Sequence, residues 1–393
     1  MRVLVTGGTG FVGSHTVRAL QEAGHAVRLL VRSPEKVRRV FGDEASRLGV
    51  TQGDVVREDD VARALRGCDA VVHAAAMVSL RASEAAKVHA VNVRGTGHVV
   101  GGAARRGIPR ILYVSSASAL AEPGGPTVTA ASPVVPARSA YGRSKAETER
   151  MVRQLQAEGA PVAITHPAGV VGPDDPGLSE ANHALWTFVH DVTIHTQGVF
   201  QAVDVRDVAA LHVRLLEGDT KGRWPAASRS VPWGEMADLL DGLTGVRVRR
   251  LRVPGVVLRA AGRVGDVAKR FVDFSFPLTT EAMDYATRWP GVDASATTHA
   301  SGVTFRPPES TFADALRWMH AAGHLEARHV GRLALGHALR AGQGPGGRAR
   351  AVRAVVGLEL PGAGEGAGVD GVRLEPVVAG EDAAQRVRHR LGV

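Results

Sequence analysis

The apolar and polar positions fall into two recurring periods. Val3-Leu4-Val5 is a short unbroken apolar run, polar only at Thr6, which reads as a strand buried on both faces. Beyond a glycine-rich turn, Val12, Thr16, Val17 and Leu20 recur at helical spacing. Further runs predict strands at Ala26 to Val31, Gly49 to Asp54, Ala70 to His73, Arg110 to Ser115 and Pro161 to Thr165. Helices are expected between them, starting at Ser33-Pro34 and spanning Glu58 to Arg66, Glu84 to Arg106 and Tyr141 to Glu158. Strand and helix in alternation predict an α/β fold, a Rossmann-type doubly wound parallel sheet with its ligand at the carboxyl ends of the strands.

The pattern is less regular afterwards. Ala117 to Ala137 reads as a proline- and glycine-rich loop, and Leu178 to Gln197 as a helical lid carrying Trp186, Phe188 and Val189. Gln201 to Val205 returns as a strand and Arg206 to Glu217 as a helix. Smaller mixed elements follow, closing with an amphipathic helix from Thr311 to His320. The expected organisation is a dinucleotide-binding domain over 1–165, completed by about 198–218, then a substrate-binding region over 166–320. From Ala321 onward there is no aromatic residue and no Ser, Thr or Asn. That leaves little with which to build a core or cap a helix, so 321–393 reads as a weakly structured tail beyond an extension of the last helix.

Composition narrows the class. With 393 residues, the chain exceeds one average domain. Its one cysteine, Cys68, excludes an internal disulfide and fits a reducing compartment. The first strand begins at once, leaving no room for a signal peptide, and no apolar run reaches the ~18 residues of a membrane span. The expectation is a cytoplasmic protein. The net charge of +9 comes largely from scattered arginines without interleaved aromatics, so it reads as a solvated basic surface rather than a nucleic-acid site. Nothing in the pattern reads as a metal site.

The glycines carry the first chemistry. Gly7, Gly10 and Gly13 stand at intervals of three, and Gly8, Gly10 and Gly13 fit G-x-G-x-x-G between a predicted strand and a predicted helix. Such a turn lets a pyrophosphate approach the backbone and rest on the helix N-terminus. Where the second strand ends, no acid stands ready for a ribose 2′-hydroxyl. Arg32 and Arg39 stand there instead and suit a 2′-phosphate, which favours NADP(H) over the alternative NAD(H). Ala74-Ala75-Ala76 after the fourth strand lets the backbone lie along a cofactor; His73 before it reads as a locally bonded residue.

The second chemistry sits at Tyr141-Gly142-Arg143-Ser144-Lys145. Tyr and Lys four apart share a helical face, and an ammonium beside a phenol is expected to lower the phenol's pKa and ready it for proton transfer. The hydroxyl pair Ser115-Ser116 ends a sheet strand nearby in the predicted fold.

Taken in order, these elements resemble the extended short-chain dehydrogenase/reductase family, also called the NAD(P)-dependent epimerase/dehydratase family. The matching stretches are Thr6 to Gly13, Gly53-Asp54-Val55, His73 to Ala76, Asn92 to Thr96, Tyr113 to Ser118, Tyr141 with Lys145, His166 to Pro173, and Asp204 to Val208. Val31-Arg32-Ser33-Pro34 and Val303 to Pro307 look closest to its dihydroflavonol reductase-like and 3β-hydroxysteroid dehydrogenase-like branch.

The resemblance implies that Tyr141 is the acid/base, Lys145 its electrostatic partner on the nicotinamide ribose, and Ser116 the group that polarises the substrate oxygen. It implies adenine contacts from Asp54 and Val55, and further cofactor contacts from Gly7, Gly10, Phe11, Val12 and Gly13. Ala74, Ala75, Asn92, Pro167 and Val170 complete that set. It also implies a homodimer through the helices after Glu84 and Tyr141. Two positions depart from the family, both on the substrate side: His166 replaces the usual Arg before the proline, and Ala300-Ser301-Gly302 replaces a leucine-glycine pair.

The leading expectation is an NADP(H)-dependent oxidoreductase that interconverts a ketone and a secondary alcohol on a small, largely apolar molecule, the apolar lid arguing for that substrate. A nucleotide-sugar epimerase or dehydratase is the alternative and needs cations for a diphosphate, for which Arg252, Arg259 and Arg263 are available. A non-catalytic NADP(H)-binding regulator is the third reading, although it has no need of Ser116, Tyr141 and Lys145.

Overall fold

A computed structural model of the chain describes residues 1–79, 82–137, 139–218, 221–268 and 279–334. The strands among them are β1 (Arg2–Thr6), β2 (Ala26–Val31), β3 (Gly49–Gln52), β4 (Ala70–His73), β5 (Arg110–Val114) and β6 (Val162–Pro167), then β7 (Gly169–Val171), β8 (Thr193–His195), β9 (Val199–Asp204), β10 (Gly222–Ala226), β11 (Ser230–Pro232) and β12 (Arg250–Arg252). Seven of them form one sheet in the order β10-β6-β5-β4-β1-β2-β3, with every neighbouring pair parallel. The strand order reverses between β1 and β4, where a doubly wound fold opens its ligand crevice.

The unbroken apolar runs are explained by burial on both faces. Val3 and Val5 enter one core with Leu29, Val72 and Leu112, while Leu4 enters the other with Leu30, Val71 and Ile111. Strand periodicity of two sends alternate residues to opposite layers. The helices Phe11–Glu22 and Val205–Glu217 cover the first face through Val17, Leu20, Val208 and Leu211. The second is covered by a continuous helical run over 82–105 and by the helix Ala140–Ala157. That run widens into π-type turns at Ala90–Arg94 and Gly97–Gly101.

A smaller lobe contains the sheet β11-β9-β7 and the pair β12-β8. The helices Glu180–His190, Trp233–Thr244 and Pro308–Ala321 enclose its core around Leu185, Met236, Leu240, Phe312 and Leu316.

Three expectations are corrected. The strand that completes the main sheet is β10, paired with β6, whereas β9 belongs to the smaller sheet. From the 198–218 stretch, the helix Val205–Glu217 and Val203 of β9 pack into the large domain. Pro225 made β10 hard to foresee; it is tolerated because β10 is an edge strand. Second, Phe188 and Val189 do not face a substrate: each is 8% exposed within the smaller core, where Phe188 meets Trp233 edge-on at 5.3 Å. Trp186 donates its ring N–H to the Leu325-preceding carbonyl of His324 at 2.9 Å and stacks on His190.

Third, the composition break at Ala321 is not a packing boundary. The last helix stops at Ala321, the chain turns at Gly323, and Leu325, Val330 and Leu333 return to the smaller core. The rest of the expected tail, from 335, lies outside the described residues. The smaller mixed elements also include helices at Gly255–Ala268 and Ser295–Ser301.

Candidate active site

The turn after β1 is built so tightly that side chains are excluded. Gly7 has φ +72, and a Cβ there would lie 2.5 Å from the Ala75 nitrogen; one on Gly13 would lie 2.1 Å from the Gly7 carbonyl oxygen. The helix Phe11–Glu22 then starts at Gly10 with no side-chain cap and no acidic residue in its first turn. Its leading N–H groups, those of Phe11, Val12 and Gly13 among them, are left for an anion. A dinucleotide pyrophosphate fits this cradle, with Ala74 and Ala75 forming its opposite wall.

Next to the cradle, β2 ends at Val31, and Ser33 caps the helix Pro34–Phe41. Arg32 and Arg39 are both exposed, and neither guanidinium has a partner among the described residues. After β3, the Asp54 carboxylate accepts the Val56 N–H at 3.2 Å, while the buried Val55 side chain packs under Gly95. Both residues follow β3 at the carboxyl end of the sheet.

Two buried polar chains tie the strand ends to the helices. His73 bonds Thr6 at 2.6 Å through Nδ1 and Thr96 at 3.0 Å through Nε2. Burial, with a smaller push from Lys145, lowers its pKa to about 3, so it is neutral and structural. Asn92 accepts the Met77 N–H at 2.7 Å and donates to the Met77 carbonyl at 3.0 Å and to the Ser144 hydroxyl at 2.9 Å. It thereby pins the loop after β4 to the helix Ala140–Ala157.

That helix is capped by Ser139, which accepts the Gly142 N–H and is itself held by Glu281: its N–H donates at 2.6 Å and its hydroxyl at 2.8 Å. One helical face turns Tyr141, Lys145, Thr148 and Glu149 toward β5, at the i, i+4, i+7 and i+8 spacing of a single stripe. Lys145 is 4% exposed; its ammonium donates to the Val114 carbonyl at 3.3 Å and stands 6.0 Å from the Tyr141 ring centre. Ser116 stands close enough to the Tyr141 phenol to lower its pKa and lies 2.9 Å from the Ser118 hydroxyl. Its neighbour Ser115 points the other way and donates to Glu149 at 2.7 Å. Strand alternation thus separates the two serines, one facing the phenol and one facing the interior.

The electrostatics correct one expectation. Lys145 was expected to pull the Tyr141 pKa down, but burial pushes it up; the Glu180 carboxylate adds to the rise and the Ser116 hydrogen bond opposes it. Burial also lowers Lys145 itself to about 8, with Glu149 acting against that shift. The phenol is therefore a protonated donor at neutral pH.

Glu149 is the residue that sequence reasoning missed. It is fully buried and accepts from Ser115, Arg153 and His166. Burial opposes its ionisation, but His166, Ser115 and Arg153 outweigh it and hold the carboxyl at about 2. His166 leads into Pro167, the last residue of β6, and Val170 follows half-buried in β7. A separate cleft of about 530 Å³ opens in the smaller lobe beside Gln201, Ser228 and Asp293; none of Ser116, Tyr141 and Lys145 lines it.

Comparison with known proteins agrees with this geometry. Residues 3–225 match the family described as the NAD dependent epimerase/dehydratase family. Sterol demethylase protein B of Methylococcus capsulatus is 29% identical over 82% of this chain and 99% of its own length. A putative dihydroflavonol 4-reductase of Synechocystis is 27% identical over 82% of this chain and 96% of its own. The crystal structure of vestitone reductase from alfalfa superposes with a TM-score of 0.63 at 23% identity, covering 82% of this chain and 99% of that one. With a glycine cradle at the switch point and Ser116, Tyr141 and Lys145 gathered at the end of β5, the chain belongs to the NAD dependent epimerase/dehydratase family and is an NAD(P)-dependent enzyme of the extended short-chain dehydrogenase/reductase type.

Proposed function

We propose that the protein is an NADP(H)-dependent carbonyl reductase that converts a ketone on a largely apolar molecule to a secondary alcohol. The observation that carries this reading is the gathering of Tyr141, Lys145 and Ser116 at the end of β5, with the Lys145 ammonium 6.0 Å from the Tyr141 ring centre. A phenol beside an ammonium can give its proton to an oxygen gaining negative charge, which is the demand of reduction. A reduced nicotinamide, when bound, supplies the hydride. Ser116 orients the substrate oxygen, Tyr141 passes its proton to that oxygen, and the Lys145 ammonium steadies the phenolate left behind before solvent restores the proton. Arg32 and Arg39 receive the ribose 2′-phosphate.

An apolar substrate body is supported by surfaces other than the lid. Val78, in the loop after β4, is 47% exposed, and Tyr285, which donates to the Ser118 carbonyl, packs on Trp289 at 5.5 Å. Of the cations offered for a sugar diphosphate, Arg252 and Arg263 are exposed and Arg259 donates to Thr287. The names of the two relatives, a sterol demethylase component and a dihydroflavonol reductase, belong to ring systems of this kind. A panel of cyclic ketones with NADPH, followed by absorbance, tests the reading, with UDP- and dTDP-sugars alongside. Turnover of a sugar nucleotide without net NADPH loss, and of no ketone, would replace reduction with epimerisation.

A further inference from the structure

The helix Gly255–Ala268 is built inside out. Its inward positions include Gly255, Gly262 and Gly265, all buried. A Cβ on Gly262 would lie 2.7 Å from the Thr279 carbonyl oxygen, so the helix backbone rests directly on the start of the next helix, Thr280–Arg288. The outward positions are aliphatic: Val256 is 64% exposed, Val257 52%, Val264 68% and Val267 53%. At 100° per residue these four and Ala260 fall within one arc of about 100°, with no polar residue among them. Of the seven exposed large hydrophobics among the described residues, five lie between Leu251 and Val267.

The charge around this face has one sign. Residues 247–268 hold six basic side chains against the single acid Asp266, an excess of five in a chain whose whole excess is nine. Arg250 is engaged by Asp238 and Asp241, and Asp266 accepts the Thr280 N–H. Arg252 and Arg263 remain exposed, Arg263 directly beside the valine arc. A protein partner is usually gripped by aromatic anchors in pockets, and among the described residues this face offers neither. Smooth aliphatic side chains flanked by cations suit a fluid, negatively charged surface.

We propose that this helix seats the protein on the surface of an anionic lipid bilayer, valines in the acyl boundary and arginines among the headgroups. No helix among the described residues is long and apolar enough to cross a membrane, so the attachment is peripheral. The adjoining helix Thr280–Arg288 carries Glu281 and Tyr285, which contact Ser139 and Ser118. The bilayer then lies one helix away from Tyr141, on the side from which a lipid-dissolved ketone arrives; that last statement rests on the reductase reading, the docking itself does not.

Flotation of the full chain with vesicles tests the docking. The protein should rise with vesicles of equal phosphatidylcholine and phosphatidylglycerol, far less with phosphatidylcholine alone, and less again in high salt. Val256→Asp with Val264→Asp should lower the floated fraction about tenfold or more while NADPH binding and the thermal midpoint hold. Val256→Ser with Val264→Ser provides a milder version should the aspartates disturb folding. No flotation with the anionic vesicles overturns the proposal. So does flotation that both variants leave unchanged, which assigns binding to other basic segments. A dimer that the variants convert to monomer, without vesicle binding, assigns the face to a second copy and also overturns it.

Discussion

Glu149 and His166 meet at 2.9 Å with neither side chain exposed, and Arg153 reaches the same carboxylate oxygen from one turn along the helix at 2.7 Å. His166 stands where the resembling family has Arg, and Arg153 on the helix joins it at this carboxylate. Glu149→Gln removes the charge and leaves Arg153 and His166 facing a neutral amide. The stability loss should be about 3–5 kcal/mol, the scale for breaking a buried pair. Urea unfolding measures it; a loss under about 1 kcal/mol would show that the network is not under tension. Because the folded carboxyl titrates at about 2 against 4.5, its stabilisation is complete above pH 4.5 and fades as pH falls toward 2.

Tyr141→Phe keeps the ring and removes the proton. Turnover should fall by about 10²-fold or more, while cofactor affinity hardly changes. Single-turnover kinetics with a cofactor titration separates the two. A variant reducing its ketone at the wild-type rate would leave Tyr141 as a packing residue.

Lys145 sets an alkaline limit. Its folded pKa of about 8 lies below 10.5, so the ammonium is present below pH 8 and lost above it. The rate that depends on it should therefore fall as pH rises through about 8. Fold stability should move the other way, rising from pH 8 to 10.5, because the unfolded chain keeps a proton that the folded chain has shed. Lys145→Arg should carry the descending limb to higher pH. An unmoved limb would assign it to another group.

Arg32→Asp should weaken NADPH more than NADH. The unpaired guanidinium at the end of β2 is the group placed for a 2′-phosphate, and a carboxylate there would repel it. Titrating both cofactors against both proteins checks this, and a wild type preferring NADH contradicts it.

A chain ending at Ala334 should bind cofactor and unfold at the full-length midpoint. Ending it at Gly323 removes Leu325, Val330 and Leu333 from the smaller core, each 7% exposed or less. Buried aliphatics of this kind contribute about 2–5 kcal/mol apiece, so the shorter chain should be insoluble or melt far lower. Equal midpoints for the two would show that the segment packs without consequence.

The parts of the fold that were legible from sequence are those set by local rules. A buried parallel strand must be apolar throughout, and the turn after it admits only glycine at Gly7 and Gly13, so β1 and its cradle stand out. The Tyr141–Lys145 face is fixed by helical spacing. The parts not legible depend on what faces each side chain in the fold. Glu149 sits on the same stripe, eight residues after Tyr141, but a glutamate in a helix is ordinarily solvated. The direction of the Tyr141 shift depends on burial, which spacing does not report. Phe188 and Val189 were read correctly as apolar and placed on the wrong side, because the partners Trp233 and Phe200 come from later in the chain.

The grip of Glu281 on Ser139 couples two parts of the molecule that are built around separate cores. One carboxylate beyond the smaller lobe's first strands closes the first turn of the helix that begins with Ala140 and Tyr141. Any drift of the helix Thr280–Arg288 breaks two hydrogen bonds at once and frees that turn to fray. The orientation of Tyr141 is therefore tied to the seating of a helix 140 residues further along the chain, so the two cores answer to one carboxylate.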